Sequence, residues 1–544
     1  MSNVVNDVDK LAVQDLQQLG YQQELSRSRG LFHILFMSLA IMAVPFGLSA
    51  PIATALIGGG PATMIWSWIM VSVLTQVVAL SLAEICSKYP TSAGPYYWCF
   101  RLAPPKYRLL VSWITGWFTM VGVWTISLSV NFGTAQLIIA AAGIYRPDWT
   151  VTTWQTYLVF LGVTLIATLT GVFFNDWMPL LDIASAVWTL LGLIVMLIAI
   201  SAKAALGRHS AKFALTEFNP MFSGWNPGWT FFIGSLPSAY VYSAIGMVAN
   251  MAEEVHNPSL EVPRAIVWSI PIGTISGLVF LLPIVFTLPD VGILLTVASG
   301  QPIGLMFQLI MGSEGGGFAM LFIVVIVGVF CAISICCAAS RATWSFARDK
   351  AIPFHGFFSA VNQSLNNVPV NAYILSTMIQ LLLGLIFFGS TAAFNAFVGV
   401  AVMCLGASYA MPIGTLLWRN SPFWVEDDKG DGGSVDSKRR GGKGKGIGRR
   451  GVEDAQFSLG RWGTIINIFA ILWILFALVL FSMPAVIPVT ETSMNYASVV
   501  FVGFGVFSAV WYFVDGRYHY EGPPTVPLET EGSNHNLTEK EAST

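Results

Sequence analysis

The sequence predicts an all-α polytopic membrane protein of twelve crossings, and three observations carry that prediction. Hydrophobic residues make up 55% of the chain and charged residues 10%, against roughly a quarter charged in a soluble domain. Apolar runs of about 20 residues recur along nearly the whole length, each enough at 1.5 Å rise to cross a hydrocarbon layer about 30 Å thick. The cations also segregate to one side of the layer once the runs are threaded through it.

In order, the runs fall at about 32–57, 62–86, 108–142, 154–174, 179–202 and 229–252. The second six fall at about 265–288, 317–345, 370–388, 393–417, 463–483 and 495–514. The first thirty residues are polar and lack the basic start and small-residue cleavage site of a removable signal, so the N-terminus is expected in the cytosol. Twelve crossings return the C-terminus there. All of the 27 Lys and Arg except Arg146, Lys203, Arg208 and Lys212 then lie on the inner side. The formal net charge of −2 hides this bias and points to no nucleic-acid partner.

The chain divides into a cytosolic tail (1–30), a core of ten crossings (31–420), a Gly/Lys/Arg-rich cytosolic loop (421–461), two further crossings (462–515) and a disordered cytosolic tail (516–544). Residues 426–451 hold nine glycines and eight basic residues, the composition of a flexible linker. Its cations from Lys438 to Arg450 suit anionic membrane lipid, or simply keep the loop inside. The six cysteines form no CxxC pair, so neither a disulfide framework nor a metal site is expected. The six histidines form no HxxxH array, and no intramembrane acids are spaced for catalysis. The chemistry of an enzyme is missing, and no cofactor is implied.

The first run contains AIMAVPFGLSAP, residues 40 to 51. A backbone break at membrane depth is tolerated only where protein or a water-filled cavity satisfies the freed N–H and C=O groups. Pro45 cannot donate to a helix, Gly47 loosens the backbone and Ser49 offers a hydroxyl, so Val44 to Ser49 is expected to be unwound. The sixth run has its own interruption, with Pro237 and then Ser243, Ala244, Ile245 and Gly246. Interrupted segments at matching positions of two halves point to a carrier built from a 5+5 inverted repeat, with the remaining two helices outside that core.

Two motifs facing the cytosol make the reading specific. Residues 58 to 98, GGPATMIWSWIMVSVLTQVVALSLAEICSKYPTSAGPYYW, and residues 250 to 266, NMAEEVHNPSLEVPRAI, resemble the amino acid, polyamine and organocation (APC) transporter superfamily. A third match, SRATWSFARDKAIP, follows at 340 to 353, and the resemblance covers about residues 30 to 515. It is greatest to the fungal amino acid, choline and GABA permeases. The resemblance implies a multi-pass carrier, in the plasma membrane by default, that takes a small amine or amino acid as a proton symporter. An exporter of an alkaloid-like metabolite and a non-transporting nutrient sensor of the same fold remain the alternatives.

By that resemblance the substrate lies between the broken parts of spans 1 and 6. The residues concerned are Pro45, Phe46, Gly47, Leu48 and Ser49 on span 1 and Tyr242, Ser243, Ala244, Ile245 and Gly246 on span 6, joined by Trp124 and Asn131 from span 3. Exposed N–H groups favour a carboxylate, and the faces of Phe46, Trp124, Tyr240 and Tyr242 favour an ammonium group. The chain departs from the family in having one glycine in PFGLS and no acid in SAIG, so amines stand beside amino acids as cargo.

Ionisable groups within the spans are few. Glu84 and Asp182 are read either as proton-coupling groups or as carboxylates shallow enough to meet water or a cation such as Lys88 or Arg101. Glu253 and Glu254 fall at a helix C-terminus, where the macrodipole disfavours anions, so they need cations nearby. Arg264, Arg341 or Arg348 is the expected partner. The resemblance places this acidic pair at the inner gate. Asn257-Pro258 reads as a turn, and Pro263 as part of the first turn of span 7.

Overall fold

The computed structural model describes residues 2–146, 149–297, 300–365, 367–389, 391–421, 452, 455–490 and 493–524. The basic linker and most of the second tail fall outside these residues. Twelve helical segments are long and apolar enough to cross a membrane. The first six are Leu31–Ser49, Pro61–Lys88, Arg108–Tyr145, Thr153–Phe173, Asn175–Lys203 and Pro227–Glu254. The second six are Pro258–Phe286, Glu314–Arg348, Val370–Gly389, Ala396–Arg419, Gly460–Leu480 and Ala497–His519. No strand occurs among the described residues, and the protein is an all-α polytopic membrane protein.

Packing follows chain order with an offset of five. Span 1 lies against span 6, span 2 against span 7, span 3 against span 8 and span 4 against span 9. Five is an odd number, so each such pair runs antiparallel, the relationship that two inverted halves produce. Span 11 adds to spans 2 and 10, and span 12 to spans 3 and 10. Burial shows the same division: 72% of the apolar stretch of span 8 is inside the protein, against 11% for span 12.

Span 1 breaks one residue earlier than its sequence suggests. Leu31–Met42 is helical, Ala43 takes the left-handed conformation at φ 41°, and Val44–Ser49 forms a new helical turn. The expected unwinding of Val44 to Ser49 is therefore corrected. Pro45, in the first turn of the new helix, lacks only an N–H that would have had no helical partner. The Ser49 hydroxyl donates to the Pro45 carbonyl at 2.6 Å.

Span 6 is interrupted as expected. Pro237 again falls in a first turn, that of Leu236–Tyr242, and after Ser243 and Ala244 the chain tightens into a 3₁₀ helix, Ile245–Glu254. Span 7 begins at Pro258, so Pro263 is interior to the helix rather than in its first turn. The carbonyl that Pro263 cannot bond, that of Ser259, instead accepts the Ser87 hydroxyl at 2.7 Å.

The N-terminal tail is folded beneath the bundle. Helix Ser2–Gln18 is followed by an extended segment whose Tyr21, Leu25 and Arg29 are buried. At the other end, span 12 runs to His519 and Tyr520 is buried against Trp113, so order continues past residue 516.

Candidate functional site

The two breaks face each other across a narrow cavity. Span 1 contributes Ile41, Met42, Phe46 and Gly47, and span 6 contributes Tyr240, Val241 and Ala244. Ile126 and Val130 of span 3 and Cys331 and Ile335 of span 8 complete the wall. None of these side chains is charged at neutral pH. Polar chemistry comes from the breaks themselves and from two side chains: the Cys331 thiol donates to the Ile41 carbonyl at 3.2 Å, and the Tyr240 hydroxyl lies 2.9 Å from Ser129 Oγ.

A second, larger hollow lies behind the span 6 break. Tyr242, Ser243 and Ile245 line it, with Tyr409 and Gly406 of span 10 and Trp473 of span 11. Tyr242 stacks on Trp68 at 4.8 Å between ring centres, and its hydroxyl lies 2.9 Å from Ser72 Oγ. Gly246 donates its N–H to the Tyr409 hydroxyl at 3.2 Å.

The expected site residues thus separate. Phe46, Gly47 and Ala244 line the central cavity, while Tyr242, Ser243 and Ile245 face the hollow behind it. Pro45, Leu48 and Ser49 are buried in the turn that carries Phe46. Trp124 donates its indole N–H to Thr343 Oγ1 at 3.1 Å, and Asn131 donates to Gln380 Oε1 at 2.8 Å. Both span 3 residues bridge to neighbouring helices. Sequence reasoning missed Ile126, Val130, Cys331 and Ile335; Ile126 and Val130 are spaced i and i+4, as are Cys331 and Ile335, so each pair shares a helix face.

At the C-terminal end of span 1 a Cβ placed on Gly58 would lie 2.2 Å from the Cα of Gly234, so backbone meets backbone where spans 1 and 6 converge. At the N-terminal end of span 1 charges interlock. Glu254 accepts from Arg341 Nε at 2.8 Å and Arg29 Nε at 3.3 Å, and Arg29 Nη1 reaches Asp182 Oδ2 at 2.7 Å. Asp182 also accepts from the Ser334 hydroxyl at 3.1 Å. Arg348 holds both oxygens of Glu253, at 2.9 and 3.0 Å. Two of the three expected arginines therefore take the acidic pair, Arg264 takes neither, and Arg29 is a partner from the tail. Glu84 is fully buried, and its Oε1 accepts from the backbone N–H of Leu459 at 2.9 Å.

The tail closes this end through its backbone as well. Ser28 and Arg29 donate N–H groups to the Glu254 carbonyl, at 3.0 and 3.1 Å, and His256 donates to the Arg29 carbonyl at 3.0 Å. The first two bonds occupy the Glu254 carbonyl, which the end of span 6 leaves without a helical donor.

The profile of an amino acid permease family matches residues 30–505 of the chain. The chain belongs to the amino acid permease family. This permease is 33% identical to an amino-acid permease BAT1 homolog of Oryza sativa subsp. japonica, over 94% of this chain and 95% of the relative. It is 29% identical to a polyamine transporter of Saccharomyces cerevisiae, over 96% and 81%, and 27% identical to a choline transporter of the same yeast, over 91% and 83%. The permease is accordingly a multi-pass membrane transporter for small amine or amino acid substrates and not an enzyme.

Proposed function

We propose that the permease carries one small amine or amino acid, such as GABA, choline or a polyamine, by alternating access, with a proton as the coupled ion. The observation that carries this reading is the meeting of two broken spans around one cavity. Substrate sits against Phe46, Gly47 and Ala244, with Tyr240 turned toward its ammonium group. An aromatic face contributes about 0.5–2 kcal/mol to such a cation, which matters where no acidic side chain lines the wall.

Alternating access then requires two exchanges of contacts. Outward opening separates Gly58 from Gly234. Inward opening releases Arg29, Arg341 and Arg348 from Asp182, Glu254 and Glu253, and these carboxylates with Glu84 are the proposed gating and coupling groups. The plasma membrane, with both termini in the cytosol, is the proposed setting. Uptake of labelled GABA, choline, spermidine and amino acids into expressing cells, with and without a protonophore, tests the proposal. Saturable uptake of one of them that the protonophore abolishes supports a symporter; a non-saturating current would replace the carrier with a channel.

A further inference from the structure

Asp349 follows the last residue of span 8 and is 6% exposed. Its Oδ2 accepts two hydroxyl bonds, from Tyr21 at 2.7 Å and from Tyr96 at 2.8 Å. Tyr21 belongs to the N-terminal tail, and Tyr96 to the helix Pro95–Leu102 between spans 2 and 3. One carboxylate oxygen therefore joins three separate parts of the cytosolic face, one of which is the strap over the inner gate.

Its neighbour Arg348 is engaged elsewhere. The guanidinium lies 4.0 Å from the ring centre of Tyr21 and 4.3 Å from that of Trp344 while it holds Glu253. Asp182, Glu253 and Glu254 each face a guanidinium at hydrogen-bond distance, whereas the hydrogen bonds to Asp349 come from neutral hydroxyls. The charged and titratable groups around Asp349 are Tyr21 from the tail, Tyr96 and Tyr97 from the intervening helix, Arg348 and Glu253 from the gate, and Tyr520 from the segment after span 12. Lys350 turns outward to Glu521 at 3.1 Å.

We propose that Asp349 is a proton-binding site of the strap, and that a proton taken from the cytosol tightens the docking of the tail and holds the inner gate shut. A carboxylate enclosed by tyrosine rings loses water, and loss of water favours its neutral form. Burial raises Asp349 to about 6, opposed by Arg348 and by the two tyrosine hydroxyls. With the tail undocked the group meets water and returns toward the ordinary carboxylate range near 4. Between those two values the docked state binds more protons than the undocked one. Docking therefore strengthens as pH falls through about 6 and weakens as pH rises, by at most about tenfold per unit for one proton. In a carrier that brings protons inward, as proposed above for this permease, the consequence is feedback: an acidified cytosol closes the gate through which the protons arrive.

Hydrogen exchange of the full-length permease in lipid nanodiscs, from about pH 8 to about pH 5, tests the site without any substrate. The reporters are the amides of Ser28 and Arg29, which donate to Glu254 only when the tail is docked. After correction for the intrinsic exchange rate, protection of the peptide covering 20–30 rises several-fold as pH falls through about 6. D349N holds the group neutral and removes that step. Y21F takes away one bond that favours the anion and moves the step to higher pH. Protection that is independent of pH in the wild type, that falls with acid, or that keeps the same step in D349N or the same midpoint in Y21F overturns the proposal. A transport assay that found no proton coupling would remove only the feedback.

Discussion

Arg29 reaches up from the tail and sets Nη1 2.7 Å from Oδ2 of Asp182 on span 5, with neither side chain more than 1% exposed. Removing one member of a buried ion pair leaves the other charged and out of water, typically at a cost of about 3–5 kcal/mol, whereas replacing both with apolar groups is often neutral. The neighbours make the two single losses unequal. Without Asp182, Arg29 keeps Glu254 at 3.3 Å; without Arg29, Asp182 keeps only the Ser334 hydroxyl among the partners seen here. Thermal unfolding of detergent-solubilised protein should therefore fall further in R29A than in D182A. The double variant R29M/D182L should recover much of the loss; a double variant as unstable as the sum of the singles would show that the pair is not coupled.

Gly58 and Gly234 make the contact proposed above as the outer gate. A Cβ on Gly58 would stand 2.2 Å from the Cα of Gly234, a distance only backbone movement can relieve. G58A should therefore hold the outer end apart and abolish net uptake while the protein still folds. Cys331 lines the central cavity and reports the change. An impermeant thiol reagent applied from outside should label Cys331 faster in G58A than in the wild type. Equal labelling, with uptake intact, would remove the outer gate from this position.

Tyr240 is the aromatic wall of the cavity on span 6, and its ring and hydroxyl make separable contributions. Y240F keeps the ring and loses only the contact with Ser129 Oγ at 2.9 Å, so KM should rise by no more than about tenfold, the equivalent of one ordinary hydrogen bond. Y240L loses the ring face, worth about 0.5–2 kcal/mol to a bound cation, or about 2- to 30-fold in KM. An ammonium substrate should feel the second change more than the first. Identical KM values in the two variants would take Tyr240 out of cation recognition.

How much of this was legible in the chain depends on the range of the interaction. Twelve crossings follow from apolar length, which is local and additive. The two breaks follow from Pro45, Pro237 and Gly246, although Pro45 marks the start of the new turn and the strained residue is Ala43, which carries no signal of its own. Which side of span 6 faces the cavity was not readable, because Ser243 and Ala244 are adjacent in sequence and point to different hollows. The arginines expected for the acidic pair were right in two of three cases, since Arg341 and Arg348 lie on one helix near the gate. Arg29 lies 225 residues from Glu254 in the chain, and its role depends on a tail that folds back, which composition does not report.

Tyr409 tests whether the broken part of span 6 is held from behind. Its hydroxyl accepts the Gly246 N–H at 3.2 Å, and its ring leaves no room for a larger residue, since a Cβ on Gly246 would lie 2.5 Å from Cε1. Y409F leaves a buried N–H without its acceptor, at about 1–3 kcal/mol, and should lower both thermal stability and transport. G246A should be worse, because the clash is with a ring that Y409F retains, so G246A/Y409F gains nothing over G246A. A smaller partner changes the outcome. G246A/Y409S opens space for the methyl group, so its loss should be well below the sum of the single losses, a coupling of the size seen between residues in contact. Strict additivity in unfolding temperature and uptake would mean that Tyr409 and the break act independently, and the hollow between spans 6, 10 and 11 would then have no part in the movement.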